Sequence, residues 1–178
     1  MEANQFYKLL DEYDQQPEQG LIIENVTLSG LELEGRILAD AQFLNIHFTQ
    51  VNLKVAHLQR VKFQNVRFKN TILDGVQLTD SKLYSVDLAG ASLKETDFCY
   101  AFFHQVNLRN ANMVSALMVK TTIEESIFDN ALLDRAKLRR SYIVNSSLKG
   151  IQLTATDLFK TYFMNVDLRN AIATPFHW

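Results

Sequence analysis

The chain has 178 residues, of which 47% are hydrophobic and 21% are charged, a balance that suits one domain able to bury its own core. Eighteen basic residues against twenty acidic ones give a net charge of -2, which argues against a strongly basic nucleic-acid binder. The single cysteine, Cys99, excludes an internal disulfide framework and fits a reducing compartment.

The first element in chain order is a predicted helix over residues 2–16. Its apolar residues recur at helical spacing: Phe6, Leu9, Leu10 and Tyr13. Pro17–Gly20 would end it. The same segment is acidic and has no apolar run typical of a signal peptide, and no stretch of the chain predicts a membrane span. We therefore expect a cytoplasmic protein, with secretion that needs no signal peptide as the alternative.

A five-residue repeat follows the helix. From Ile23 to Leu168 every fifth residue is apolar, at thirty of thirty positions. A period of five scatters around a helix, and on a straight strand an odd step alternates between the two faces. The chain must therefore turn a corner every five residues, so that each repeat points the same residue, its centre, inward.

Two further columns of the repeat support this geometry. The residue two before each centre is Ala, Ser, Thr or Val in twenty-five of thirty repeats, as expected where a small residue shares a crowded interior. The residue two after each centre lies at a multiple of five, and all six glycines and nine of thirteen asparagines occur there. Gly and Asn tolerate positive φ, which the third residue of a type II turn requires. These positions are the predicted corners.

The repeat resembles that of the pentapeptide repeat family, whose pattern is roughly A(D/N)LXX. The segments that carry it most clearly are VNLRN (106–110), ANMVS (111–115), TDLFK (156–160) and VDLRN (166–170). The resemblance implies an all-β fold, a right-handed quadrilateral β-helix with four repeats per coil and about 7.5 coils stacked at about 4.8 Å. Residues 1–20 would then form an N-terminal α-helical cap and linker, residues 21–171 the β-helix, and residues 172–178 a C-terminal tail.

Residues twenty apart should stack in such a coil, and the stacked corners make a further prediction. One corner column begins Asn25, Asn45 and Asn65, whose amides either form a hydrogen-bonded ladder or serve as turn formers only. Arg36 falls at an inward position, where a charge cannot be buried alone. Either the first coil is irregular there, or Arg36 reaches a carboxylate of the helix.

Both ends of a β-helix expose unpaired backbone and apolar surface. We expect the N-terminal helix to cover the first coil, with a partner-binding arm as the alternative. At the other end Pro175 stops the ladder, and Phe176 and Trp178 would either fold over the last coil or contact a second copy. The family resemblance implies the second arrangement, a homodimer through the C-terminal end.

The sequence shows no set of residues suited to catalysis or to binding a cofactor or metal. His47, His57 and His104 fall on three different sides of the predicted coil, and Cys99 has no histidine near it. Asp97 and Asp157 share a column but lie three coils apart. A convex rod also offers no cleft that would exclude water, so we expect a protein that is not an enzyme.

Two groups of outward residues stand out as candidate partner-binding surfaces. The apolar group is Phe102, Val114, Leu117, Val119, Ile127, Leu132, Tyr142 and Tyr162. The basic group is Lys120, Lys137, Arg139, Arg140 and Lys160. Stacked like charges repel across adjacent strands, and contiguous exposed apolar area is uncommon on monomers. Ordinary packing and a solvated face remain the alternatives for the two groups.

These features favour a non-catalytic protein-interaction module, a rigid rod that binds a protein partner. The resemblance to the family adds the expectation of a bacterial adaptor, effector or immunity-type protein. The resemblance also implies an alternative, a DNA-mimicking modulator of a type II topoisomerase of the quinolone-resistance or toxin-immunity type. Such mimics resemble rods with strongly negative faces, whereas residues 41–178 hold sixteen bases and eleven acids. Direct binding of nucleic acid is not expected.

Overall fold

The computed structural model describes residues 3–15 and 20–173. Helix α1 spans Ala3–Gln15, and residues 2 and 16 of the predicted helix lie outside the described ranges. Eleven three-residue strands follow. They are β1 (Ile22–Glu24), β2 (Thr27–Ser29), β3 (Gln42–Leu44), β4 (His47–Thr49), β5 (Lys62–Gln64), β6 (Arg67–Lys69), β7 (Lys82–Tyr84), β8 (Phe102–His104), β9 (Thr122–Glu124), β10 (Tyr142–Val144) and β11 (Tyr162–Met164).

The strands pair in parallel with partners twenty residues away, as between Phe43 and Phe63. One sheet has eight strands in the order β1-β3-β5-β7-β8-β9-β10-β11, and a second has three, β2-β4-β6. Single bridges with the same spacing join the remaining sides of the coil, from Glu32 with Asn52 to Gln152 with Ile172. Four repeats therefore make one coil, and the chain is the expected right-handed quadrilateral β-helix of about seven turns.

The four sides of the coil are called here faces 1 to 4. Their centres in the first coil are Ile23, Leu28, Leu33 and Leu38, and each face repeats every twenty residues. The residues before and after a centre point outward, and the next multiple of five is the corner. Every corner from Gly20 to Asn170 has positive φ, between 50° and 71°. The corners predicted from Gly and Asn are thus confirmed.

The interior consists of the centres and the small residues two positions before them. Phe43 and Phe63 stack with ring centroids 5.3 Å apart, and Phe63 meets Phe68 edge to face at 5.4 Å. Several hydroxyls in the small column donate to carbonyls of the preceding coil; the Thr121 hydroxyl, for example, donates to the Phe98 carbonyl at 2.8 Å. One stacked apolar core therefore runs along the rod.

The asparagines of the corner between faces 1 and 2 do more than form turns. The Asn45 amide nitrogen donates to Asn25 Oδ1 at 2.9 Å, and Asn65 donates to Asn45 at 3.0 Å. Near the other end Asn165 donates to Asn145 at 3.0 Å. The side chains thus form a hydrogen-bonded ladder in register with the backbone.

Helix α1 covers the first coil with its apolar side. Phe6 and Leu10 are completely buried against the interior. The Tyr13 hydroxyl donates to the Ala39 carbonyl at 2.9 Å. Arg36, at its inward position, lies 3.7 Å from Asp11 Oδ1 of the helix. Of the two alternatives that the sequence left open, Arg36 therefore reaches a carboxylate of the helix. The helix is therefore a cap whose acidic residue accommodates the one charge in the inner columns.

Candidate interaction faces

The eight predicted apolar residues do not share one surface. Phe102, Tyr142 and Tyr162 lie on face 1, Ile127 on face 2, Val114 and Leu132 on face 3, and Leu117 and Val119 on face 4. Only the two tyrosines are strongly exposed, at 55% and 50%. A coil and a half of sequence winds around all four faces, so nearness along the chain does not create a contiguous patch. The set must be treated face by face.

The five predicted basic residues, by contrast, lie together on face 4 of the last three coils. Lys120, Arg140 and Lys160 stack at one corner, where the Lys120 N–H bonds the Arg139 carbonyl at 2.9 Å and the Arg140 N–H bonds the Phe159 carbonyl at 3.0 Å. Lys137 lies beside the stack on the same face, and all five side chains are exposed.

Aromatic and apolar side chains accompany these cations. Lys120 Nζ lies 5.0 Å from the centre of the Tyr100 ring, and Lys160 Nζ lies 5.2 Å from that of Phe159. Both rings are themselves exposed, at 52% and 37%. Leu117 and Val119 lie partly buried on the same face. Face 4 near this end is therefore a mixed cationic and aromatic surface, which we call the basic face.

Carboxylates pair with cations on other parts of the rod more fully than on the basic face. Arg60 donates to Asp40 twice, at 2.7 and 2.6 Å, and these hydrogen bonds hold the pKa of the Asp40 carboxyl below its usual value. On face 2, Arg109 lies 3.7 Å from Asp129. On the basic face Arg139 pairs with Asp157. Within residues 3–15 and 20–173, no carboxylate lies within 4.0 Å of Lys120, Lys137, Arg140 or Lys160.

The reactive side chains lie apart from one another. Burial raises the pKa of the Cys99 thiol to about 11, helped by a hydrogen bond to Asp97, so the thiolate is scarce at neutral pH. His104 lies 3.8 Å from Glu124 on face 1, away from that thiol. Among the residues that the structure describes, no three His, Cys, Asp or Glu side chains form a group that could hold a metal ion.

A second basic cluster was not identified from the sequence. Lys62 and Lys82 are directly paired on face 1, and His47 and Arg67 are directly paired on face 2. The His47–Arg67 pair lines an opening of about 650 Å³ at the corner between these faces, and the Lys62–Lys82 pair lines an adjoining opening of about 450 Å³. The same twenty-residue spacing that revealed Lys120, Arg140 and Lys160 could have revealed both pairs.

Two other predictions concern the C-terminal tail and membrane-spanning segments. Phe176 and Trp178, the predicted end cap or dimer residues, lie outside the described residues. No helix in the described ranges is long and apolar enough to cross a membrane.

Comparison with solved structures shows the same architecture. Two structures of trypsin-treated variants of QnrB1, a plasmid-mediated fluoroquinolone resistance protein, match with TM-scores of 0.54 and 0.57 at 18% and 15% identity. They cover 85% of this chain in both cases, and 83% and 91% of their own chains. HetL, a pentapeptide repeat protein involved in heterocyst differentiation regulation from the cyanobacterium Nostoc sp. strain PCC 7120, matches at 17% identity with a TM-score of 0.35, over 91% of each chain.

Family models match the repeat itself. Residues 22–98 match the model described as pentapeptide repeat region, and residues 87–124 match the model for pentapeptide repeats in eight copies. Together they span residues 22–124, more than half of the chain. No curated protein matches the sequence. The repeat, the quadrilateral coil and these matches show that the chain belongs to the pentapeptide repeat family.

Proposed function

We propose that this protein is a non-catalytic interaction module, a rigid rod whose basic face binds an acidic surface of a protein partner. The observation that carries the proposal is the corner stack of Lys120, Arg140 and Lys160, three like charges on successive coils with no carboxylate within 4.0 Å in the described chain. Stacking like charges at the spacing of neighbouring strands costs stability. A partner that supplies carboxylates would offset this cost.

The exposed aromatic rings beside the cations indicate a protein as the partner. Tyr100 and Phe159 present apolar area together with the basic side chains. Aromatic and arginine side chains are the residues enriched in the energetically dominant parts of protein interfaces. Leu117 and Val119 would extend the apolar contact at the centre of the face. The partner surface should accordingly be acidic with exposed apolar groups.

The basic face also weighs against the alternative of DNA mimicry. A mimic needs negative charge along its outer faces, and residues 41–178 carry more bases than acids. Fluoroquinolone resistance is a property of QnrB1, to which the similarity is one of fold at 15–18% identity. An adaptor, effector or immunity-type role fits an interaction module better.

The test compares proteins captured from the native host by three forms of the full chain. The wild type and a Lys54→Glu/Lys94→Glu control, which changes two exposed cations on face 3, should capture the same partner. A Lys120→Glu/Arg140→Glu variant should lose it. With the purified partner, that variant should associate more slowly and with a weaker salt dependence.

Two outcomes contradict the proposal. Equal capture by all three forms would return the basic face to ordinary solvent exposure. Inhibition of gyrase supercoiling by the wild type and by both variants would favour topoisomerase modulation through another surface.

A further inference from the structure

The groove beside the second basic cluster continues around the corner between faces 1 and 2. One opening of about 650 Å³ shares Asn65 and Ser85 with a second of about 450 Å³ on face 1. It shares Arg67 and Asp87 with a third of about 460 Å³ on face 2. The three openings adjoin one another along the third coil (residues 61–80) and the fourth (residues 81–100), and the first also reaches the second and fifth coils at His47 and Asn107; together we call them the inter-coil groove.

Four cations line this groove: Lys62 and Lys82 on face 1, and Arg67 and Lys69 on face 2. In the described part of the chain none of them has a carboxylate within 4.0 Å. The carboxylate that does line the groove, Asp87, already accepts hydrogen bonds from the Asn107 amide at 2.9 Å and the Ala89 N–H at 3.2 Å. With four cations against one carboxylate, the lining of the groove carries a net positive charge.

A break in the backbone ladder lies at the face 2 end of the groove. In the corner column between faces 2 and 3, the N–H groups from Gly30 to Gly150 other than that of Asn70 bond a carbonyl of the next coil: Gly30 bonds Thr49 at 3.0 Å, Gln50 bonds Lys69 at 2.9 Å and Gly90 bonds Arg109 at 2.8 Å. The Asn70 N–H, which should bond the Ala89 carbonyl, has no such partner among the described residues.

The break has a structural cause. Strand β6 is the last strand on face 2, and the next coil closes its corner instead with a hydrogen bond from the Ala91 N–H to the Leu88 carbonyl at 3.0 Å. A corner that follows a strand therefore lies on a corner closed by a hydrogen bond within its own turn, and the hydrogen bond between the Asn70 N–H and the Ala89 carbonyl is not made. Asn70 is an exposed residue that lines the groove with Arg67 and Lys69, and its N–H is left as a donor for an acceptor from outside.

We propose that the inter-coil groove binds an extended acidic segment of a protein partner. The groove covers two faces and several successive coils, which suits an extended chain better than a single ion. Carboxylates of the segment would meet the paired Lys62 and Lys82 and the paired His47 and Arg67, and one carbonyl or carboxylate oxygen would accept the Asn70 N–H. This site is separate from the basic face and does not depend on the function proposed for it.

The test uses the full chain and a fluorescent oligoglutamate peptide at low salt. Lys62→Gln/Lys82→Gln and Arg67→Gln/Lys69→Gln should each weaken binding by about fivefold, the range expected for two exposed charge contacts. Lys54→Gln/Lys94→Gln removes the same charge from face 3 and should leave the affinity nearly unchanged. Thermal unfolding followed by circular dichroism shows that each variant keeps the fold.

Amide NMR adds a readout that general charge attraction would not move. On addition of the peptide the backbone amide resonance of Asn70 should shift. The backbone amide resonance of Asn110, whose N–H bonds the Asp129 carbonyl at 3.0 Å, should not. Equal weakening by the face 3 control, or an unmoved Asn70 resonance, would overturn the proposal. Tighter binding of a labelled single-stranded oligonucleotide, lost in the same groove variants, would assign the groove to nucleic acid instead.

Discussion

At the scale of single residues, the coil imposes conformations that several side chains do not prefer. Asn and Gly occupy about half of the corners, but Val55 also adopts φ 50°, an unusual conformation for a β-branched residue. Its side chain lies over the next corner, where a Cβ on Gly75 would come within 3.0 Å of Val55 Cγ1. The Val55 side chain is therefore accommodated by the absence of a side chain at the next corner.

Two buried serines in the small column differ in their hydrogen bonding. Ser126 Oγ accepts from the Val106 N–H at 3.0 Å and donates to the Glu124 carbonyl at 2.8 Å, whereas Ser81 Oγ has no partner in the described chain. Ser126→Ala should therefore lower the free energy of unfolding by about 1–3 kcal/mol, and Ser81→Ala should leave it unchanged or raise it. Urea denaturation of the two variants measures the difference, and an equal loss in both would show that the Ser81 hydroxyl is bonded in solution.

At the scale of elements, the sequence predicted the coil but not how its faces differ. The five-residue period and the Gly and Asn corners specified the inward centres and the turns, because these depend on steric rules that recur in every repeat, and helical spacing of apolar residues specified the N-terminal helix. The sequence did not predict which sides of the coil form strands, since β6 and the turn stacked on it in the next coil share the same apolar pattern. The missing Asn70 bond results from that difference between coils.

The candidate surfaces were predicted unevenly for a related reason. The four repeats per coil implied by the family resemblance stack residues twenty apart, so Lys120, Arg140 and Lys160 were correctly placed together. The apolar set was chosen by nearness along the chain, and it divides among four faces. Arg36 shows a third case, because its inward position was evident but its partner, Asp11, could be identified only from the packing of the helix.

The capping helix gives a prediction at the same scale. Leu10 is buried against the first coil, so Leu10→Asp should loosen the helix and expose an unpaired coil edge, which promotes association. Deleting residues 1–19 should have the same effect. Asn4→Asp adds the same charge at an exposed position of the helix and should stay dispersed. Light scattering during incubation compares the three, and a truncated chain as soluble and stable as the control would show that the helix is not a cap.

At the scale of the whole molecule, charge is unevenly distributed along the rod. The corner column of face 4 reads Asp40, Arg60, Asp80, Tyr100, Lys120, Arg140, Lys160. Its first part alternates in sign, and Arg60 is bonded to Asp40 there. The last part holds cations only. The first forty residues hold nine acids and two bases, so the capped end is acidic and the basic face lies toward the other end. An acidic partner should therefore approach the C-terminal half of the rod.

The two ends also differ in how well their apolar centres are covered. Under the cap, Ile23 and Leu28 are buried, at 2% and 0% exposure. In the last coil their counterparts are less protected, since Phe163 is only partly buried and Leu168 is 39% exposed. Apolar area at an unpaired coil edge favours association with another surface.

We expect a second copy to cover this end, because a coil edge that pairs about a twofold axis is self-complementary. Sedimentation velocity should then show a homodimer, and Met164→Asp/Leu168→Asp should convert it to a monomer by placing charge at the apolar contact. Asn4→Asp at the capped end should leave the dimer intact. Trp178 reports on the alternative, in which the tail folds over its own last coil: a monomer with blue-shifted tryptophan emission would support that arrangement. A monomer whose emission is that of water-exposed indole at every concentration would contradict both, since neither a second copy nor the tail would then shield the coil.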